Sequence, residues 1–353
     1  MISLSRVFHV VQRAVAVTAL GGVVAMASTS TLEAQGFELV GARARGMGGA
    51  FVAVADDASA TWWNPAGLPA TLVFDGVADL AALNFIPERP IEDTSSAGQD
   101  RALLIAAALP VAALSFTRVQ QWRLDPVPTA GAPAGRQDGG RVPAAQSLLT
   151  QHFGVSFAQS LGDAVVVGVT ARLVWGGVSS AAATSGSIDE AFDRAADATR
   201  VTETTGDVDA GVLVRLARMR LGLSAKNLAS PTFTGVDGVT WTLDRRVRAG
   251  VAVVADADRA GRQLWVIAAD ADLTRDDQVA GTWRGVGAGV ERWVAGRRLA
   301  IRGGVEASTA GAARPAATGG ASVAVPGGLF LDVAGVVGAQ GRHGWGLSAH
   351  VMF

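Results

Sequence analysis

From about residue 71 onward the chain runs through short segments in which apolar residues alternate with small or polar ones, with turn residues between them. A period of two is the signature of a β-strand with one greasy face. In the last segment Trp345, Leu347, Ala349, Val351 and Phe353 fall on one side, and Gly346, Ser348, His350 and Met352 on the other. Phe153, Val155 and Phe157 likewise alternate with His152, Gly154 and Ser156. Val165, Val167, Val169, Ala171 and Leu173 alternate with Gly168, Thr170 and Arg172. Val247 to Val253 alternates with Arg246, Arg248 and Gly250, Ile267 to Leu273 with Asp270 and Asp272, and Leu299 to Val305 with Arg298, Arg302 and Glu306. The pattern predicts strands near 71–85, 101–109, 111–120, 150–161, 163–176, 204–217, 219–228, 244–256, 262–273, 284–295, 298–308, 316–325, 328–338 and 343–353.

A soluble sandwich and a membrane barrel share this alternation and differ in which face is apolar. The connections separate them. Short turns at Leu109-Pro110, Leu161-Gly162-Asp163, Ala217-Arg218, Ala295-Gly296-Arg297 and Pro326-Gly327, with a slightly longer one at Ala257 to Gly261, alternate with links at 86–100, 121–149, 177–203, 229–243 and 274–283 and shorter ones at 309–315 and 339–342. Short turns on one side and long loops on the other belong to an outer-membrane barrel. The fold class expected is therefore all-β, a transmembrane antiparallel β-barrel of about fourteen strands. Trp122, Trp175, Trp241, Trp283 and Trp345 would mark one membrane interface, and Trp265 and Trp293 the other. Trp293 shares a face with Glu291, so its strand holds a bulge or the ring points inward. The terminal aromatic Phe353 resembles the signal that such barrels present to their assembly machinery.

Composition narrows the class. Of 353 residues, 49% are hydrophobic and 17% charged, and 44 are glycine. The formal charge of −1 gives phosphate backbones nothing to bind, so nucleic acid is no partner. There are no cysteines and four histidines, at 9, 152, 343 and 350, which leaves no thiolate site and argues against a histidine-rich metal site or a cofactor. His152 and His350 read as isolated, with no Ser/His/Asp arrangement beside them, so no enzyme is expected. Residues 1–34 read as an export signal, with Arg6 and Arg13 before the apolar run Ala14 to Met26 and a cut after Ala27 or Ala34. The alternative is a membrane anchor, for which that run is short.

Residues 41–68 break the strand pattern. Gly46, Gly48 and Gly49 permit tight turns. Asp57 or Ser59 is placed to cap a short helix, and Asn64-Pro65 marks a turn. Gly41 and Gly46 have phosphate-loop spacing, but Met47 and Gly48 stand where Lys and Ser or Thr are required. The Arg/Gly run Gly41 to Gly49, the core Ala55-Asp56-Asp57-Ala58-Ser59-Ala60 and Trp63-Asn64-Pro65-Ala66-Gly67-Leu68 resemble, in order and spacing, the N-terminal region of the FadL-type outer-membrane transport superfamily, and more closely its PorV/PorQ-type branch. Weaker echoes are Gly222 to Leu228 and Arg302-Gly303-Gly304-Val305. The resemblance implies a fourteen-stranded barrel with an N-terminal hatch in its lumen. The implied organisation is 1–34 signal peptide, 35–70 hatch and 71–353 barrel, in the outer membrane of a Gram-negative-type bacterium. The hatch motif would comprise Arg43, Gly46, Gly48, Gly49, Asp56, Asp57, Asn64, Pro65 and Ala66. The chain lacks the tyrosines usual in such barrels and is shorter than typical FadL-type fatty-acid transporters.

Three functions remain open. The first is transport or binding of a hydrophobic, fatty-acid-like molecule past the hatch. The second is a PorV-type barrel that binds secreted protein cargo or partners. The third is a passive polar pore. The inward faces carry Asp207, Asp209, Asp270, Asp272, Glu291, Glu306 and Asp332 against Arg172, Arg215, Lys226, Arg246, Arg248, Arg298 and Arg302, a near balance that suits a salt-bridged lining better than an ion filter. Ile188, Ala191, Phe192 and Ala195 fall at helical spacing behind a Ser187/Glu190 capping box, which predicts a short amphipathic loop helix serving capture or packing on the barrel mouth. Residues 121–149 read as a flexible Pro/Gly/Ala loop. Outer-membrane lipids and the barrel assembly machinery complete the expected partners.

Overall fold

A computed structural model describes residues 39–71, 73–85, 97–126, 143–183, 187–257, 263–278 and 281–353. The signal-peptide reading, residues 35–38 and most of the Ala257–Gly261 turn lie outside these residues. Fourteen strands close into one antiparallel barrel: β1 (Asp75–Phe85), β2 (Ala97–Ala108), β3 (Ala112–Pro126), β4 (Pro143–Leu161), β5 (Val165–Ala182), β6 (Glu203–Leu216), β7 (Met219–Lys226), β10 (Arg246–Ala257), β11 (Gln263–Asp272), β14 (Gly285–Val294), β15 (Leu299–Ser308), β16 (Ala316–Val325), β17 (Leu329–Gly338) and β18 (Arg342–Met352). Two small hairpins, β8 (Thr232–Thr234) with β9 (Thr240–Thr242) and β12 (Asp276–Gln278) with β13 (Gly281–Trp283), occupy two of the longer links. Each predicted strand has its counterpart.

Closure pairs β1 with β18, Asp75 opposite Met352 through Phe85 opposite Arg342. Just beyond it, Phe353 N–H donates to the Phe74 carbonyl at 3.0 Å, Phe74 N–H donates to the Phe353 carbonyl at 3.3 Å, and the two rings stack at 6.1 Å. No edge is left unpaired, so every wall strand hydrogen-bonds on both sides. Leu80, Ile105, Phe153, Leu173, Ile267, Ile301, Val305, Val333 and Leu347 are exposed on the outer face, while Thr170, Arg172, Asp270, Arg302 and Ser348 are buried on the inner one. This is the inverse of a soluble barrel and the arrangement of one that spans a bilayer.

The wall is uneven. β4 and β5 have 19 and 18 residues, and β14 to β17 have 10 each. At about 3.3 Å per residue the first pair is roughly 60 Å long and the others about 33 Å. Of the stretch read as a loop at 121–149, the described residues 121–126 and 143–149 are strand, and 127–142 lie outside the described residues. Paired backbone from Trp122/Ser147 to Pro126/Pro143 overrides its Pro/Gly composition.

Helix α3 (Ile188–Asp197) has both halves of the capping box: Glu190 N–H donates to Ser187 Oγ, and Ser187 N–H to Glu190 Oε2, each at 3.2 Å. Its buried face packs Ile188, Ala191, Phe192 and Ala195 against Ala97, Trp122, Leu124, Ala145 and Ala183. By strand alternation those wall residues share the outward face with Ile105, Phe116 and Phe153. The helix therefore lies on the outside of the tall wall. The β8–β9 hairpin lies inside, where Phe233 and Trp241 pack on Leu148, Val174 and Val178.

The tryptophan expectation fails for four residues. Trp122, Trp241, Trp283 and Trp293 are buried, the first under α3 and the next two within the small hairpins. Trp293 points inward, donating from Nε1 to Glu291 Oε1 at 3.1 Å. Exposed Arg298 lies in the turn after β14, and Arg215 at the end of β6 is half-buried, so neither joins the buried inner lining.

Replacing fully buried Phe192 by alanine removes the main anchor of α3, a change that costs about 3–5 kcal/mol in a packed core. The expected outcome is loss of amide-exchange protection across residues 188–197, with protection of β4 from 151 to 161 and of β5 below residue 176 unchanged.

Candidate functional site

Residues 39–71 are almost entirely buried although they contain only α1 (Ala42–Gly46), α2 (Ala60–Trp63) and a 3-10 helix (Pro65–Ala70). The segment crosses the barrel interior. Helix α1 packs on β15 to β18 and β1, and the 3-10 helix on β4, β5 and β6. Between them, Met47 to Ala53 press on β7, β10, β14 and β15.

An irregular buried segment leaves backbone N–H groups without partners, each costing roughly 1–3 kcal/mol if unsatisfied. The wall supplies acceptors. Asp79 takes the N–H groups of Gly41 and Ala42 at 2.9 and 2.7 Å. Asp270 Oδ2 takes those of Phe51 and Val52 at 2.8 Å each. Within the segment, Ser59 stands at the N-cap of α2 without a side-chain capping bond, and its N–H and hydroxyl both donate to Asp57 Oδ1. Fully buried Asn64 accepts from Ala66 N–H at 3.1 Å and donates to the carbonyls of Val52 at 2.9 Å and Val212 at 3.2 Å. One side chain thus caps the Pro65 helix, ties it to the middle of the segment and anchors it to β6.

Arg43 is the charged hub. Its Nε and Nη2 form a fork on Glu291 at 2.8 Å each, and Nη1 reaches Asp56 at 2.5 Å and Asp57 at 3.0 Å. Glu291 Oε2 also accepts from Arg302 Nε at 2.6 Å, and Arg302 Nη1 donates to Asp332 at 2.8 Å. Ser322 and Ser348 donate to Asp332, and His350 Nε2 lies 3.6 Å from it. His350, read as isolated, thus belongs to a relay running from the segment into the wall. His152 is not isolated either: its Nε2 is 3.0 Å from Thr150 Oγ1 and its ring meets Trp62 edge to face. Burial disfavours charged Arg43, but Asp56, Glu291 and Asp57 outweigh it and raise the guanidinium well above its usual value. Burial pushes the Asp57 carboxyl up, and its electrostatic interactions with neighbouring His350 and Arg43 bring it below the usual range.

The remaining charges sort into local pairs. Arg172 bridges Asp209 at 2.5 Å, donates to Thr61 O at 3.1 Å and faces Trp62. Asp272 holds Arg246 and Arg248 at 3.1 and 2.6 Å, and Glu306 meets Arg342 at 2.8 Å. Asp270 and Asp272 therefore share a face but have different partners. Phe353 stays on the exposed outer surface, away from all of these.

Inner-face glycines let the segment approach. A Cβ at Gly289 would strike the Met47 backbone, one at Gly304 the Met47–Gly48 peptide, and one at Gly168 the Pro65–Ala66 peptide. Gly48 and Gly49 hold left-handed φ of 65° and 69°, which glycine adopts without strain. Gly46 makes room against Gly320 and Arg302 instead. The structure thus brings Arg43, Asp56 and Asp57 together with Glu291 and Arg302, and places Asn64, Pro65 and Ala66 on the opposite wall. Asp79 was absent from the sequence-derived set. Its signal was a pair of carboxylates on one strand face in Asp75-Gly-Val-Ala-Asp79. Among the described residues no three His, Asp or Glu side chains converge as a metal site would require.

A family profile described as "F plasmid transfer operon, TraF, protein" matches residues 141–272, from β4 to β11. No curated protein sequence matches the chain. Among solved structures, the Ralstonia pickettii toluene transporter TbuX superposes with a TM-score of 0.60 at 14% identity, covering 90% of this chain and 99% of that one. The Pseudomonas putida toluene transporter TodX gives 0.56 at 13% identity, covering 91% and 98%. A FadL homologue of Pseudomonas aeruginosa gives 0.52 at 11% identity, covering 86% and 96%. The shared property is the fold.

Removing Arg43 strands buried Glu291 beside one remaining cation. Arg43→Ala is expected to destabilise the protein by about 3–5 kcal/mol, and Arg43→Met with Glu291→Leu to recover much of that loss, as measured by denaturant unfolding. Because Asp57 titrates lower when folded than its unfolded value of about 3.9, its contribution is present above that pH and fades as pH falls through the lower folded value. Loss of the Asp57 contribution should therefore raise the protease sensitivity of residues 41–68 as pH falls below about 4.

Proposed function

We propose that this protein is an outer-membrane barrel that carries hydrophobic small molecules, of fatty-acid or hydrocarbon type, past a hatch formed by its N-terminal segment. The observation that carries this reading is the filled interior. The segment touches the wall on opposite sides, a poor design for a passive polar pore and a suitable one for a gated path. The outward apolar faces support membrane residence, and three solved structures of the same fold are named as transporters of toluene or as a FadL homologue.

The hatch is held unequally. Its first half is fixed by Asp79, Asp270 and the Arg43 fork, all involving carboxylates. The Asn64–Pro65 region is tied to the wall by the Asn64–Val212 bond, with Arg172 on the Thr61 carbonyl just before it. Charge-assisted bonds are roughly twice as strong as neutral ones. The movable part is therefore the Asn64–Pro65 end, beside β4 to β6. A PorV-type role, holding secreted protein cargo, keeps a second place because the N-terminal motif run is shared with that branch.

Deleting residues 41–68 is expected to raise single-channel conductance in planar bilayers, and Asn64→Ala to change uptake of labelled toluene and oleate by cells. Unchanged conductance and uptake in both variants would count against a hatch. Native mass spectrometry of the detergent-extracted barrel adds a check: bound lipid or fatty acid favours transport, and a co-purifying protein favours the cargo role.

A further inference from the structure

The tall side of the wall carries a basic cluster that the hatch and its path do not use. On the outer face of β2 and β3 the residues change from apolar to basic near the upper end. Ile105 and Leu114 lie below, and Arg101 and Arg118 above, both arginines exposed. Arg101 is opposite Gln120, and Arg118 is opposite Leu103. They are diagonal neighbours on one face, with Cβ atoms roughly 7–8 Å apart by sheet geometry. Arg101 stacks on the Trp122 ring at 5.1 Å, which fixes it beneath α3.

Arg200 joins them from the link after α3. It lies against Gly177 on the outer side of β5. Its Nη2 donates to Ser147 Oγ at 3.2 Å and Ser179 Oγ at 2.8 Å, and its buried Nε has no hydrogen-bond partner. Burial and the nearby positive charge of Arg118 lower its pKa. Among the described residues none of these three arginines has an ion pair with a carboxylate, whereas Arg123 pairs with Asp100 and Arg342 with Glu306. The acidic residues of α3, Asp189, Glu190, Asp193 and Asp197, are exposed on the side facing away from the wall. Three guanidinium groups therefore sit without acidic partners where the apolar belt of Leu80, Ile105, Phe153 and Leu173 ends.

We propose that Arg101, Arg118 and Arg200 hold the phosphate headgroup of a membrane lipid whose acyl chains lie along the apolar belt below, with α3 as a shelf above. This rests on the outer-membrane reading of the barrel. Guanidinium groups present planar donor forks that match phosphate oxygens, and Arg200 Nε is a buried donor still to be satisfied. A free phosphate ion would leave the belt beneath uncovered, whereas a lipid covers both parts.

The test is native mass spectrometry of the full chain in mild detergent, titrated with a diphosphorylated lipid A-type glycolipid and with its dephosphorylated form. The wild type should retain the phosphorylated lipid in preference to the other. Arg101→Gln/Arg118→Gln/Arg200→Gln together should lower that retention roughly tenfold, with Arg292→Gln, an exposed arginine on the outer face of β14, leaving it unchanged. Heat-modifiable migration in gels checks that each variant is a folded barrel. Equal retention by the folded triple variant, or equal retention of the dephosphorylated lipid, overturns the headgroup site and leaves the membrane reading intact. A protein that folds but fractionates away from outer membranes overturns both.

Discussion

The structure depends on how a closed barrel satisfies an irregular segment inside it. Wall strands spend most of their backbone hydrogen bonds on each other, so few remain for the interior; the Val212 carbonyl, which accepts from Asn64, is one that does. The buried segment from Leu39 to Thr71 makes some turns of its own, but Gly41, Ala42, Phe51 and Val52 have N–H groups that those turns leave over. Side chains of the wall and of the segment must serve them. Asp79 and Asp270 each take two N–H groups, and Asn64 meets three partners. Without these acceptors a dry interior would reject the segment.

Shape is the second half of that solution. The Met47 and Gly48 backbone lies so near β14 and β15 that Gly289 and Gly304 have no space for a Cβ, and Pro65–Ala66 stands in the same relation to Gly168. Much of the high glycine content thus follows from close approach rather than from turns. Charge then fixes the alignment, because the Arg43 fork on Glu291 has one geometry and Glu291 is itself held by Arg302. A buried relay of this kind is weak as net stabilisation and strong as a register, since displacing any member leaves a charge without its partner.

The two faces of the tall wall serve different purposes above the belt. Inside, β8–β9 covers Leu148, Val174 and Val178, and outside, α3 covers Trp122, Leu124 and Ala145. Strands that rise past the apolar belt would otherwise expose apolar side chains on both faces. The hairpin and the helix are the local remedy, and the tryptophans expected at a membrane interface are partly used up in them.

The sequence by itself determined the elements that obey local rules. Alternation at Trp345 to Phe353 or Ile267 to Leu273 marks a strand and its faces whatever surrounds it, because side-chain direction follows from backbone geometry. The Ser187/Glu190 box is likewise complete within four residues. Fourteen strands and their turns were legible for that reason, and so was the departure of residues 41–68 from the pattern. Partnership across the barrel was not. Arg43 and Glu291 are 248 positions apart, Asp270 and Phe51 are 219 apart, and no spacing rule joins them. Strand ends at Pro126 and Pro143 went unseen because pairing with a neighbour outweighed local composition. Trp122 and Trp293 turned out buried because the direction of a ring depends on what covers it. Tertiary structure decided these points, since closing the ring sets which residues, distant in sequence, face one another across the barrel interior.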